Sequence, residues 1–239
     1  MINYLRQFVV AALLLLFTSC VFAKDSKTVL NERLFEAAET GDLAQAKSAL
    51  AQGANVNARD KAGNTPLILH IRMEYFGAGN IGLVQTLLAR KAAVDARDNE
   101  GTTALMIAAR LGFTQAVRTL LHRGANINVT DASGQTPLMH AAYGVMTEIG
   151  TVQSAPESVR ILLSRGAKVN TKDKMGQTPL ILAAKTDSWD AVHQEAALQS
   201  ARLLINKGAD KNAKTRNGNT ALKWAQMRHH FEIVRLLRR

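Results

Sequence analysis

The chain has 239 residues, and its hydrophobic content of 47% excludes an intrinsically disordered protein. Aromatic residues account for only 5%, which predicts a core of alanine and aliphatic side chains between closely packed helices. Lysine and arginine total 30 against 19 aspartates and glutamates, and the net charge of +11 favours acidic partners, namely an acidic protein surface, nucleic acid or anionic lipid.

The first 23 residues differ from the rest of the chain. A run of apolar residues over positions 8–17 follows a single charged residue, Arg6. Small or apolar residues continue from position 18 to Ala23, directly before the next charged residue. This pattern is typical of a secretory signal peptide, and the run is shorter than the roughly 20 residues of a membrane-spanning helix. We expect cleavage after Ala23 and a periplasmic or secreted protein.

Cys20 leaves an alternative open. Residues 16–20 resemble a degenerate bacterial lipobox, with Phe17 where leucine is usual. In that case a lipidated Cys20 would be the mature N-terminus and would anchor the protein in a membrane. An uncleaved anchor is a further alternative.

Two motifs recur in phase along the remaining chain. One is Thr-Pro-Leu or Thr-Ala-Leu with a glycine two residues before it, and its copies begin at Thr65, Thr103, Thr136, Thr178 and Thr220. The other is a Gly-Ala-x-Val-Asn segment or a close variant, and its copies begin at Gly53, Lys91, Gly124, Gly166 and Gly208. Threonine caps a helix, proline suits the first helical position, and glycine ends a helix in the left-handed conformation. Each unit is therefore predicted to contain a turn, a helix, a second turn and a second helix.

These motifs resemble the ankyrin repeat, whose unit of about 33 residues carries a Thr-Pro-Leu signature. The resemblance covers about residues 31–239. It implies an all-α solenoid of about six helix-turn-helix units with short β-turn or hairpin connections. We predict a signal peptide at 1–23, a short linker at 24–30 and a repeat domain at 31–239, with units at about 31–60, 61–98, 99–131, 132–173, 174–215 and 216–239.

The sequence departs from a regular repeat at four places. Extra residues follow Arg72, Tyr143 and Thr186, between the two helices of their units, and we expect these inserts on the edge away from the turn tips. The second helix of the fourth unit should begin at about residue 155, and that of the fifth at about Ser188. Lys91 replaces a helix-ending glycine, which predicts a residue with a strained backbone.

No catalytic or metal-binding motif emerges from the sequence. His-Glu-x-x-His, Gly-x-Ser-x-Gly and glycine-rich phosphate loops are missing, and the six histidines are scattered without metal-ligand spacing. We therefore expect a protein that is not an enzyme, with no cofactor and no metal site.

The family resemblance implies that turn tips and first helices form a concave face that contacts ligands. Basic residues at the tips and the outward first-helix positions, read by their offset from each threonine, are the predicted contacts. They are Arg59, Leu69, Arg72, Arg97, Ile107, Arg110, His140, Tyr143, Lys172, Leu182, Lys185, Lys214, Trp224 and Arg228.

The predicted function is a non-catalytic protein–protein interaction module of the cell envelope with an acidic protein partner. Resemblance to exported bacterial ankyrin proteins implies either an immunity protein against a toxic effector or an accessory factor of a stress-response enzyme. The alternatives are an envelope lipoprotein and a binder of nucleic acid or anionic surfaces. Nucleic acid is disfavoured because few aromatic residues are present for base stacking. We expect a monomer in the absence of the partner.

Overall fold

A computed structural model describes residues 26–73, 80–144, 155–186 and 191–239. The predicted signal peptide, the lipobox and the central parts of the three inserts lie outside these residues. Within the described part, no helix is long and apolar enough to cross a membrane.

The described chain forms twelve helices in six consecutive pairs, which confirms the predicted all-α repeat architecture. The pairs are α1 (residues 26–40) with α2 (Leu43–Ala51), α3 (Pro66–Met73) with α4 (Ile81–Ala89), α5 (Ala104–Leu111) with α6 (Thr114–His122), α7 (Pro137–Tyr143) with α8 (Ala155–Ser164), α9 (Pro179–Lys185) with α10 (Ala191–Asn206), and α11 (Ala221–Met227) with α12 (Phe231–Arg238). Helix α1 includes residues 26–30, which the predicted domain division assigns to the linker at 24–30.

Threonine caps begin the first helices as the motif predicts. Thr103, Thr136 and Thr178 have extended backbones, and each side-chain oxygen accepts the backbone N–H three residues later at 3.3–3.4 Å. Thr65 makes the same bond to the Ile68 N–H at 3.3 Å. Because the proline after three of these threonines occupies the first helical position, its missing N–H removes no helical hydrogen bond.

The turns between units are hairpin tips that join neighbouring units through the backbone. In the tip of the third unit, the Asp98 N–H donates to the Thr102 carbonyl at 3.0 Å. Tip-to-tip bonds then connect consecutive units: the Asn99 N–H donates to the Ala62 carbonyl at 3.0 Å, and the Ala132 N–H donates to the Glu100 carbonyl at 2.9 Å. A Cβ at Gly101 would lie 2.9 Å from the Ala132 nitrogen, so this close approach requires glycine.

The asparagine of the second motif makes a further bond between units. The side-chain oxygen of Asn57 accepts the Ala93 N–H of the next unit at 2.8 Å. Asp95, Asn128 and Asn170 repeat this bond to Asn126, Lys168 and Asp210 at 2.9–3.0 Å. The recurrence of Asn or Asp in the motif therefore follows from a bond that each unit offers to the next.

The core consists of aliphatic side chains from both helices of each pair, as the composition predicts. The leucine of the Thr-x-Leu motif is fully buried in four of the five copies, at Leu67, Leu105, Leu138 and Leu180, and Leu222 of the last copy is partly buried. Small side chains such as Ala108 and Ala183, both 0% exposed, let the first helices of adjacent units pack closely. This core holds the tips and the first helices in a fixed register.

The inserts are described only at their bases. Helix α8 begins at Ala155, which confirms the predicted start, whereas α10 is described from Ala191, so a start at Ser188 lies outside the described residues. The Thr186 hydroxyl donates to the Tyr143 carbonyl at 3.2 Å, and His230 Nε2 lies 2.8 Å from the Thr186 carbonyl oxygen. The bases of the second and third inserts are thus adjacent, as a common edge requires.

Candidate protein-binding surface

The surface formed by the hairpin tips and the exposed side of the first helices, here called the inner face, is the predicted concave face. Two columns of first-helix residues run along it, at the fourth and the seventh position after each threonine. The fourth-position column is Leu69, Ile107, His140, Leu182 and Trp224. The seventh-position column is Arg72, Arg110, Tyr143, Lys185 and Met227.

The two columns differ in exposure, and this difference corrects the sequence-based prediction. Leu69 and Leu182 are 7% and 3% exposed, so the expectation that they point outward is wrong. Ile107 and His140 are also buried, although both contribute to the wall of a groove. By contrast, every residue of the seventh-position column is partly or fully exposed. On the inner face, the seventh-position residues are therefore exposed to solvent, and the fourth-position residues lie beneath them.

A groove on this face lies across the second, third and fourth units and has a volume of about 840 Å³. Four predicted contact residues line it: Arg72, Ile107, Arg110 and His140. The tip residues Glu100 and Asp131 also line it. The groove thus combines basic, acidic and apolar groups, which suits a polar peptide segment more than a simple anion.

Buried carboxylates of the tips hold the groove side chains in place. The guanidinium Nη2 of Arg72 donates to Asp98 Oδ2 at 2.9 Å, and the Asp98 side chain is only 4% exposed. His140 Nε2 lies 2.9 Å from Asp131 Oδ2, and both side chains are about 10% exposed. Arg110, in contrast, is exposed and has no ion-pair or hydrogen-bond partner for its side chain among the described residues. It is the cation of the groove that remains available to a partner.

The carboxyl group of Asp131 in the groove has a perturbed pKa. Burial of the Asp131 carboxyl raises its pKa. Hydrogen bonds from the His140 side chain and from the Gln135 and Ser133 backbone N–H groups lower it, and so does the electrostatic attraction of His140. The lowering effects outweigh the effect of burial. The pKa of Asp131 is therefore lowered from its usual value of 3.8. Asp131 consequently stays ionised and fixes the position of the His140 ring in the groove wall.

The tip arginines Arg59 and Arg97, predicted as partner contacts, also connect neighbouring tips. Arg59 donates to the Gly63 carbonyl at 2.9 Å and to the Arg97 carbonyl of the next tip at 2.6 Å. Arg97 donates to the Thr130 carbonyl of the following tip at 2.9 Å. Both are exposed, yet their guanidinium groups already bridge neighbouring tips. Lys172 and Lys214 are exposed tip residues without such bridges.

The inner face of the last two units is basic. Lys185 Nζ lies 5.0 Å from the centre of the Trp224 ring, within the range of a cation–π contact, and it also donates to Gln177 Oε1 at 3.2 Å. Trp224 is half-buried, so it acts as part of the floor more than as a protruding anchor. Arg228 follows α11 and is exposed.

Comparison with known proteins gives the same assignment as the fold. The family model for ankyrin repeats (3 copies) matches residues 34–131, 73–173, 124–194 and 151–239, which together span nearly the whole described chain. The chain belongs to the ankyrin repeat family. Ankyrin repeats are in general non-catalytic scaffolds for protein interaction. No curated protein matches this ankyrin repeat chain significantly.

Solved structures resemble it over almost its full length. One is from the complex of a predatory endopeptidase of Bdellovibrio bacteriovorus with an immunity protein: identity is 28%, the TM-score is 0.69, and the match covers 86% of this chain and 96% of that one. Another is an ankyrin repeat domain from Acinetobacter baumannii AYE, with 31% identity, a TM-score of 0.67, and coverage of 85% and 95%. A third, the ankyrin repeat protein EF0377, shares 24% identity with a TM-score of 0.70 and supports the fold alone.

Sequence reasoning missed two exposed methionines on or beside the inner face. Met175 at the tip of the fifth unit is 54% exposed, and Met227 is 55% exposed. Met227 could have been found, because it occupies the seventh position after Thr220 as Arg72 does after Thr65. Among the described residues, no group of three or more histidine, cysteine, aspartate or glutamate side chains could hold a metal ion.

Proposed function

We propose that this ankyrin repeat protein binds an acidic protein of the cell envelope through its inner face and holds that protein inactive, as an immunity protein does. The full-length similarity to a chain from an endopeptidase–immunity protein complex supports this role over that of an accessory factor of a stress-response enzyme. Location in the envelope is part of the proposal and is supported by the signal-peptide pattern of residues 1–23.

The observation that carries the proposal is the groove between the tips and the first helices of the second to fourth units. Its walls are prearranged by the Arg72–Asp98 and His140–Asp131 contacts, so little side-chain freedom remains to be lost when a partner binds. Arg110 adds an exposed guanidinium with no partner among the described residues. Arginine beside a buried apolar floor is a common arrangement in the energetic centre of protein interfaces.

The basic last units support an acidic partner. Residues 155–239 contain 16 lysines and arginines against 7 aspartates and glutamates. The Asp173 carboxylate at the tip of the fifth unit is buried and accepts bonds from Met175 N–H, Gln177 N–H and Gln177 Nε2. Its charge is therefore less available to a partner than the exposed cations Lys172, Lys174 and Arg216 around it.

A capture experiment with a matched control tests the proposal. The bait is the protein in the form its own cell produces, and the variants are Arg110→Glu on the inner face and Arg202→Glu on the second helix α10. Both arginines are exposed, and neither has a described partner, so the two variants change the net charge equally. We expect a partner from the envelope extract that stays bound at about 0.5 M salt, where exposed charges are screened over a few ångströms. Binding should be lost with Arg110→Glu and kept with Arg202→Glu.

The identity and activity of the captured protein then separate the two roles. An immunity protein should lower the activity of the purified partner in proportion to complex formation, and Arg110→Glu should not. A partner whose activity is unchanged or raised by the wild-type chain would contradict the immunity role. Equal loss of capture with both variants would contradict binding through the inner face.

A further inference from the structure

The exposed side of the second helices, here called the outer face, carries two rows of basic side chains that the proposed function does not use. The first row lies within these helices: Lys47, Arg118, Arg160, Arg202 and Arg235. The second row lies five residues later, where the helices end: Arg90, Arg123, Arg165 and Lys207. All nine residues are exposed.

Few acidic groups offset these rows. The second helices contain three glutamates: Glu157, Glu195 and Glu232. Glu157 accepts bonds from Arg118 at 2.8 Å and Arg160 at 3.1 Å, and Glu232 accepts one from Arg235 at 3.1 Å. Six cations of the two rows have no ion-pair partner among the described residues: Lys47, Arg90, Arg123, Arg165, Arg202 and Lys207.

Helix stability explains only one of the two rows. A cation at the carboxyl end of a helix interacts favourably with the helix dipole, which accounts for the second row. Residues in the middle of a helix gain nothing from this effect. Lys47 lies in the middle of α2 without a described ion-pair partner, so its charge is free to act on an external anion.

The rows border a shallow groove across α2, α4 and α6, with a volume of about 820 Å³. Its floor is low because α4 contributes the small residues Gly82, Thr86 and Ala89. Its lining also includes the basic residues Lys47, Arg118, Arg123 and Arg165 together with His122, and none of the lining residues is acidic. The outer face therefore has an extended basic surface with a shallow depression lined by cations and no acidic residue.

An exposed aromatic side chain lies at the C-terminal end of the same face. Phe231 is 72% exposed at the start of α12, and it lies four residues before Arg235, on the same side of that helix. Basic side chains with an exposed phenylalanine are typical of surfaces that adsorb to anionic membranes, where the ring inserts at the headgroup level. Nucleic-acid binding would favour several stacking aromatics beside the cations, and the groove lining contains none.

We propose that the outer face binds the anionic surface of a lipid bilayer and leaves the inner face open to the protein partner. The two faces share no residue, so this proposal stands independently of the proposed function. Lysine and arginine side chains each contribute to adsorption at an anionic membrane, and the contribution decreases as salt screens the charges.

Vesicle flotation tests this proposal with two variants of equal net charge. The outer-face variant combines Lys47→Gln, Arg123→Gln, Arg165→Gln and Arg202→Gln. The tip variant combines Lys61→Gln, Lys172→Gln, Lys174→Gln and Lys214→Gln, all at exposed positions. Vesicles contain either phosphatidylcholine alone or about one-third phosphatidylglycerol, and far-ultraviolet circular dichroism with thermal unfolding verifies that both variants fold.

We expect wild-type protein to bind the phosphatidylglycerol vesicles at low salt more tightly than phosphatidylcholine vesicles. The outer-face variant should lose about tenfold or more of this affinity, since each cation near an anionic surface contributes severalfold. The tip variant should remain within about twofold of wild type on the same reasoning. Equal losses in both variants, or tighter binding to duplex DNA with the same dependence on the outer-face cations, would overturn the proposal.

Discussion

The two halves of the solenoid share a backbone scheme but differ in charge. Residues 26–144 contain 12 lysines and arginines against 10 aspartates and glutamates, whereas residues 155–239 contain 16 against 7. Both halves repeat the threonine cap, the tip-to-tip backbone bond and the Asn or Asp bond to the next unit. Because these bonds use backbone groups and a few motif residues, the surface positions are free to acquire different charges.

This difference indicates a division of roles along the inner face. The groove of the N-terminal half is charge-balanced and prearranged, which favours specific contact with one segment of a partner. The C-terminal half carries most of the net charge, which favours attraction of an acidic partner over a distance.

Stability should depend on the same core in both halves, and substitutions there should have the largest effect. Leu105 and Leu180 are both 0% exposed and occupy the same position in their units. We expect Leu105→Ala and Leu180→Ala each to lower the free energy of unfolding by about 3 kcal/mol, the usual cost of truncating a buried leucine. Urea unfolding followed by circular dichroism measures this. A cost below about 1 kcal/mol in one half only would contradict a shared core.

Binding kinetics should separate the two halves. Lys61 and Arg216 are exposed and lie within the hairpin turns at equivalent tip positions, one in each half. We expect Arg216→Glu to lower the association rate with the partner by about fivefold at low salt and Lys61→Glu by less than about twofold, because steering depends on the local field. Surface plasmon resonance at low and high salt measures both rates. If the two substitutions lowered the association rate equally, the two halves would not differ in how they attract the partner.

A smaller effect should follow from one departure in the N-terminal half. Lys91 has a φ of 65°, and the Ala92 N–H donates to the Leu87 carbonyl at 3.0 Å, as the Ala125 N–H does to the Leu120 carbonyl after Gly124. A Cβ at Gly124 would meet nothing within 4 Å, so only its φ of 85° opposes a side chain. We expect Gly124→Lys to cost about 1 kcal/mol and Lys91→Gly to gain up to about that amount, as measured by chemical denaturation. If both substitutions changed the free energy of unfolding in the same direction, Lys91 and Gly124 would not be equivalent positions.

The smallest effect should be the pH dependence from Asp131 in the groove. Because the folded pKa of Asp131 is lowered, its ionised form adds stability above its usual pKa of 3.8, and this contribution is lost as pH falls through the folded pKa. We expect Asp131→Asn to reduce stability at pH 7 and to reduce the loss of stability between pH 7 and about pH 3. Parallel pH profiles for variant and wild type would show that Asp131 does not contribute.

Much of the fold could be predicted from the sequence, because each motif residue has a local reason. Thr103 caps its own helix, and the glycine after α2, α6, α8 and α10 satisfies a left-handed backbone, so neither depends on distant contacts. Lys91 was predicted to take the same conformation, and it does. The helical residues 26–30 were missed because their sequence lacks the repeat motif that marks every later unit.

The candidate surface was predicted less well, because offset along a helix does not show which side the neighbouring units cover. Positions four and seven after each threonine lie close together around the helix, yet only the former is packed against the core. Residue type held a usable signal: the fourth position is Leu69, Ile107 and Leu182, whereas the seventh is Arg72, Arg110 and Lys185. The Arg59 and Arg97 bridges between tips required the three-dimensional register of neighbouring units.

Lysine footprinting of the complex with the captured partner tests whether the partner binds to the inner face. Exposed lysines lie on both faces, so each experiment contains its own control: Lys61, Lys172, Lys174 and Lys214 at the inner-face tips, and Lys47 and Lys207 on the outer face. We expect the partner to slow acetylation of the tip lysines, most at Lys174 and Lys214, and to leave the acetylation of Lys47 and Lys207 unchanged. Protection of Lys47 and Lys207 with unchanged tips would contradict binding through the inner face.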